Sequence, residues 1–240
     1  MVILMSRRNR KIVKTLIIFN IIIIVLVSII IKNELLIKKD YKKIIEKNEK
    51  NNNKNLKKYD NVVFLGDSIT EIYPIEEIYT NIPAVRSGVS GYGARDILDR
   101  LNKMVYVYNP KKVFLLIGTN DIASDPSIEK QNATIEIIKK IIIEIRKNRP
   151  ETKIYVESIY PVNNNMDKNM VAKRTNEIIK SMNKKIKKYC NENSITYINV
   201  YDELLDENGY FYEKLTYDGL HPSEIGYAKI TRILYPYVYE

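Results

Sequence analysis

The stretch "NVVFLGDSIT", residues 61–70, changes from continuously apolar to polar at Gly66. Four successive apolar residues, Val62 to Leu65, closed by a glycine, read as a strand covered on both faces. Four further short runs, rich in β-branched or aromatic residues, also read as strands: "PAVRSG" (83–88), "KVFLLIG" (112–118), "KIYVESI" (153–159) and "ITYINV" (195–200). Helical spacing fills the intervals at 94–106, 127–148 and about 168–192, and 223–238 closes the chain. The clearest helix is "SIEKQNATIEIIKKIIIEIRKNRP", apolar along one face and stopped by Pro150. Strands alternating with helices predict a five-stranded parallel sheet between two helical layers, an α/β/α sandwich wound through right-handed crossovers. In such sheets ligands meet the residues just past the carboxyl ends of the strands.

The charge of the chain is uneven. Its formal +10 resides in residues 1–60, which hold 15 Lys/Arg against 5 Asp/Glu, whereas residues 61–240 balance 24 against 24. A neutral domain gives no electrostatic footprint for nucleic acid, which is therefore not an expected partner. All eight glycines and all eight prolines also lie after residue 60, where turns are needed. The single cysteine, Cys190, excludes an internal disulfide and a cysteine metal cluster, and reads as a packed structural thiol.

Within the N-terminal quarter, "TLIIFNIIIIVLVSIII" (15–31) is 17 residues long and uncharged, with no polar face. Extended back to Ile12 it gives about 30 Å of helix, the thickness of a bilayer core. A basic segment (Arg7, Arg8, Arg10, Lys11, Lys14) precedes it, and no small-residue cleavage site follows, which favours an uncleaved anchor over a signal peptide. The expected organisation is a basic cytoplasmic tail (1–11), a transmembrane signal-anchor helix (12–32), a polar and basic tether (33–59) and a domain from 60 to 240 outside the cell membrane. Ile and Leu spacing permits a helical stalk at the start of the tether, and "EKNEKNNNKNLKK" reads as a linker.

Four polar clusters fall at strand ends. "GDSIT" places Ser68 at the start of a helix, where serine serves as a cap or as an exposed nucleophile. "GVSGYG" (88–93) has three glycines that let backbone approach another group, as a tight turn or as an N–H donor to an anion. In "GTND" (118–121), Asn120 and Asp121 cap a turn, or Asn120 donates to a developing oxyanion. "DGLHPSEIGY" (218–227) holds His221, the sole histidine of the chain. Asp218 stands three residues earlier, able to hold Nδ1–H and leave Nε2 free to take a proton from a serine.

Together these blocks, in this order, resemble the SGNH (GDSL-like) hydrolase superfamily over about residues 60–235. The resemblance implies a flavodoxin-like sandwich with Ser68 as nucleophile, His221 as base and Asp218 as its orienting partner. It also implies an oxyanion hole from the N–H of Ser68, the N–H of Gly91 and the Asn120 side chain, with neither metal nor organic cofactor. One departure is Arg86, where many members carry asparagine two residues before the second block; it suggests a pocket suited to an anionic or sugar-borne acyl group. The expected function is a membrane-tethered serine esterase acting on small-molecule, glycan-borne or lipid esters, with short-chain or O-acetyl groups favoured. The alternatives are a lipase or lysophospholipase at the bilayer, and a non-catalytic envelope-binding protein. Tyr160, Tyr210, Phe211 and Tyr212 are candidate walls of the pocket, or ordinary surface packing.

Overall fold

The computed structural model describes the backbone of residues 7–51 and 61–240, with side chains described for 16–40, 42–43 and 61–240. Residues 1–6 of the expected tail, 52–59 of the expected tether and residue 60 of the expected domain lie outside the described residues. The chain forms two units, Met1–Asp40 and Tyr41–Glu240.

Helix α1 spans Arg7–Asn51. From Leu16 to Asp40 it is long and apolar enough to cross a membrane, and none of its most apolar window is covered by protein. Ile24 is 63% exposed. The helix continues past the apolar run through a segment rich in Lys and Glu, which are good helix formers, and Glu34 reaches Lys38 one turn on at 3.9 Å.

In the second unit, β1 (Val62–Gly66) leads into α2 (Ser68–Ile72) and α3 (Ile75–Ile78), and β2 (Ala84–Gly88) into α4 (Ala94–Leu98) and α5 (Leu101–Met104). Then come β3 (Lys112–Leu116), α6 (Ile128–Asn148), β4 (Lys153–Glu157), α7 (Lys168–Val171), α8 (Asn176–Glu192), β5 (Thr196–Ile198) and α9 (Glu224–Tyr239). All five strands are parallel, in the order β2-β1-β3-β4-β5. This is the flavodoxin-like order, whose direction of winding reverses between β1 and β3. Hydroxyls set the starts of the long helices: Ser127, Thr175 and Ser223 accept backbone N–H groups of α6, α8 and α9.

Side-chain alternation along the strands divides the core in two. Val63, Leu65, Val113, Leu115, Ile154 and Val156 face α4, α5, α6 and α8. Val62, Phe64, Phe114, Tyr155 and Ile198 face α2, α3 and α9. On the second face Phe64, Phe114 and Tyr155 are register partners on adjacent strands. Their rings stack at 4.9 and 4.6 Å, and Tyr79 lies over Phe64 at 5.2 Å. Cys190 is buried in the first cluster, and burial pushes its thiol up to about 11, as suits a packed group without nucleophilic duty.

Two expected helices are broken. Residues 94–106 divide at Arg100, whose N–H bonds back to Ile97 O; the tight turn keeps Ile97, Leu101 and Met104 all facing the core. Residues 168–192 divide at Ala172, which adopts φ 55 and ends α7. The three-residue gap that follows carries Arg174 inward, to 4% exposure.

Replacing Phe114 by Ala removes the central ring of the stack. It is expected to cost about 3–5 kcal/mol of unfolding free energy, read from the midpoint of denaturant unfolding.

Candidate active site

The winding of the sheet brings the ends of β1 and β3 side by side, and chain from both ends contributes polar groups. After β1, Asp67 caps α2 by accepting the Ile69 N–H at 3.0 Å. Ser68 is the first residue of that helix, where a backbone N–H has no acceptor within the helix. Its side chain is nearly enclosed at 9% residue exposure. Ser68 Oγ lies 2.9 Å from His221 Nε2, and His221 Nδ1 lies 2.7 Å from Asp218 Oδ2. The three expected residues thus form a continuous hydrogen-bonded line.

Each end of this line is braced. Asp218 Oδ1 accepts the N–H groups of Leu220 and His221 at 2.9 and 2.8 Å. Burial alone would raise the Asp218 carboxyl, but these donors and the imidazole together hold it below its ordinary value. The carbonyl of His221 accepts from Thr216 Oγ1 and Tyr217 N–H. Gly219, between the two functional side chains, adopts φ +87, and a Cβ there would come within 2.5 Å of Asn163 O. Only glycine fits that corner, and the loop after β4 clamps it through Asn163 N–H to Gly219 O and Asp167 N–H to Asp218 O.

A seam of buried tyrosines fastens α2 to α9. Tyr227 Oη donates to Ile69 O at 2.7 Å, next to Ser68. Tyr227 stacks on Tyr73 at 5.1 Å, and Tyr73 Oη bonds both Tyr79 Oη and Thr231 Oγ1 at 2.8 Å. This seam holds the serine and histidine segments in one place.

The expected anion-binding groups flank this line. Gly91 lies in the loop after β2 with φ +80, and its N–H has no hydrogen-bond partner among the described residues. Asn120 follows β3; its Nδ2 donates to Tyr92 O at 3.0 Å and its Oδ1 accepts from Arg174 at 2.9 Å. Ser68, His221 and Asp218 are joined directly, whereas Gly91 and Asn120 meet through Tyr92 and have no direct bond to the other three. The loop after β2 is held from two sides, by Glu71 Oε2 on the Ser90 N–H at 2.9 Å and by Asp121 Oδ2 on the Ala94 N–H at 2.9 Å. Among the described residues no group of three or more His, Cys, Asp or Glu is placed to hold a metal ion.

Several groups differ from the sequence reading. Arg86 is not a free charge beside the pocket: its guanidinium is committed to Glu76 at 3.3 Å and to Glu71 O at 3.0 Å. Tyr160 and Phe211 are core residues, 3% and 0% exposed, and Tyr212 packs against the same cluster. Tyr160 Oη donates to Glu157, which is also buried. Asp67 is fully buried, and its Oδ2 has no hydrogen-bond partner among the described residues. Desolvation lifts its carboxyl to about 7 against the Ile69 N–H and the fields of His221 and Arg174. Arg174 itself is absent from any reading of the motifs. The one trace it leaves is being the sole arginine between residues 150 and 231, where lysine is otherwise the basic residue.

The model of the GDSL-like lipase/acylhydrolase family matches residues 64–229. A solved structure from Streptococcus pneumonia, described as "a putative platelet activating factor", is 32% identical, with a TM-score of 0.70 over 90% of this chain and 99% of that one. Platelet-activating factor acetylhydrolase IB subunit alpha1 of Pongo abelii is 25% identical over 183 residues, covering 72% of this chain and 73% of that protein. N-acylneuraminate cytidylyltransferase of Escherichia coli is 28% identical over 168 residues, 70% of this chain. The chain spans only 38% of that relative's length.

Glu157 gives this region a pH signature. Desolvation raises its carboxyl from 4.5 to about 7, with the Tyr160 hydroxyl opposing. A carboxyl raised on folding binds its proton more tightly in the native state, so the stability it confers is full below pH 4.5 and lost as pH climbs towards 7. Unfolding free energy of the parent is expected to fall by on the order of 3 kcal/mol across that window from this group. Glu157→Gln should flatten the decline in parallel denaturant titrations; an unchanged slope would contradict the assignment.

Proposed function

The chain belongs to the GDSL-like lipase/acylhydrolase family, and from that premise we propose that it hydrolyses carboxylic esters through an acyl-enzyme on Ser68. The observation that carries the reading is the pair of distances from Ser68 Oγ to His221 Nε2, 2.9 Å, and from His221 Nδ1 to Asp218 Oδ2, 2.7 Å. A binding module gains nothing from that alignment, whereas general-base activation of a hydroxyl requires it.

In the proposed reaction Ser68 Oγ attacks the ester carbonyl carbon as His221 Nε2 takes its proton. Asp218 holds the imidazole in the tautomer that leaves Nε2 unprotonated, then stabilises the imidazolium. The carbonyl oxygen becomes an oxyanion that meets the N–H groups of Ser68 and Gly91 and the second N–H of the Asn120 carboxamide. Each well-placed donor is worth about 3 kcal/mol in the transition state. His221 returns its proton to the departing alcohol as the C–O bond breaks. Water then attacks the acyl-enzyme by the same sequence, releasing a carboxylic acid and restoring Ser68.

A short acyl group, acetyl above all, is the proposed substrate class. The acetylhydrolase among the relatives supports it, and so does the burial of Tyr160 and Phe211, which removes two of the aromatic walls a deep channel would use. The exposed apolar run of α1 supports a membrane tether, with the basic N-terminal segment on the cytoplasmic side and the ester site outside.

Two measurements test these proposals. The full-length chain in detergent should hydrolyse 4-nitrophenyl acetate faster than its longer-chain homologues, and Ser68→Ala should lower kcat by about 10⁴-fold or more with its unfolding midpoint retained; equal rates would reject the nucleophile. In cells the chain should stay in the membrane pellet after alkaline carbonate extraction, and release into the supernatant would reject the spanning helix.

A further inference from the structure

Arg174 is a buried cation, 4% exposed, that makes four hydrogen bonds to chain around the site. Its Nε donates to Thr119 O at 2.8 Å, one terminal nitrogen to Met170 O and Val171 O at 2.9 and 3.0 Å, and the other to Asn120 Oδ1 at 2.9 Å. Two of these bonds cap the C-terminal carbonyls of α7, which alone would be a structural duty. The other two grip consecutive residues after β3, and one ends on the side chain expected to face the oxyanion.

We infer that Arg174 is a positioning residue of the ester site, fixing which way round the Asn120 carboxamide faces. The inference rests on the hydrolase reading above. A carboxamide is nearly symmetric in shape but opposite in function at its two ends, two donors on nitrogen and an acceptor at oxygen. With Oδ1 on the guanidinium, Nδ2 points to Tyr92 O, using one N–H and leaving the second for a substrate oxyanion. Turning the amide over would set Oδ1 against the Tyr92 carbonyl and the NH₂ against the cation, both repulsive. Without the cation only the Tyr92 carbonyl selects the orientation, and an inverted Asn120 would present a lone pair to the developing negative charge. The guanidinium also polarises the amide it bonds, strengthening the remaining N–H as a donor. A lysine could supply charge but not this four-way grip, because its donors radiate from one atom and cannot span acceptors on two loops. The break after α7, with Ala172 at φ 55, is what turns Arg174 inward.

The test is a double-mutant cycle in the full-length chain with 4-nitrophenyl acetate. Arg174→Gln is expected to lower kcat by about 10–50-fold with KM changed less than about threefold, since the lost interaction acts in the transition state. In an Asn120→Ala background the same change should cost less than about threefold, because nothing remains to be oriented. Arg174→Lys should fall between parent and Arg174→Gln. Equal costs in both backgrounds, or a cost borne by KM, would overturn the inference. So would variants that no longer unfold cooperatively, which would assign the arginine to the fold. A parent no faster than Ser68→Ala would instead bring down the hydrolase reading and this inference with it.

Discussion

One hydrogen bond, 2.9 Å between Ser68 Oγ and His221 Nε2, joins groups 153 positions apart, and the fold can be understood as the apparatus that keeps it short. The serine is aimed by β1, whose residues are buried on both faces of the sheet, so the strand can neither slide nor tilt without opening the core. The histidine is aimed by the start of α9, which packs over the aromatic face. The Tyr73–Tyr79–Tyr227–Thr231 seam makes the connection, and its hydroxyls are paired within the seam or with Ile69 O. Buried polar groups that satisfy one another specify a single arrangement, because any shift leaves at least one of them desolvated and unpaired.

The same economy governs the opposite side of the site. Two of the three oxyanion candidates, Gly91 and Asn120, lie on separate loops after β2 and β3, which carry no mutual backbone ladder among the described residues. Cross-loop bonds from Glu71, Asp121, Asn120 and Arg174 supply the missing rigidity. Electrostatics there are mixed: Arg174 is a buried cation, and Asp67 is a buried carboxyl lifted to about 7 by desolvation. A site that must accept transient negative charge gains from the cation and from a nearby acid that tends towards neutrality.

The sheet was legible because its strands are short runs rich in apolar, β-branched or aromatic residues, continuous in β1 and β3, and the polar clusters were legible because few residue types can perform acyl chemistry. A lone histidine three residues after an aspartate is conspicuous against 39 lysines and arginines. What escaped has a common physical cause: the sequence does not display the partner. Arg174 in "VAKRTNEIIK" carries no mark of burial in its sequence neighbours, and it lies inward just after the break at Ala172, whose φ of 55 no propensity demands. Tyr160 and Phe211 sit in polar loops yet fill the core, while Arg86, expected near the pocket, is absorbed by Glu76. The helix break near Arg100 has the same origin, since tertiary packing of Ile97, Leu101 and Met104 overrides a continuous helical pattern.

The proposal that a base-activated Ser68 is the nucleophile is tested most directly by intact-protein and peptide mass spectrometry after treatment with an alkyl fluorophosphonate, which reacts with activated serines. The expected result is one covalent adduct per chain, on the peptide containing Ser68, and its loss in His221→Ala. An adduct on another residue, or ester hydrolysis that persists while Ser68 stays unmodified, would contradict it.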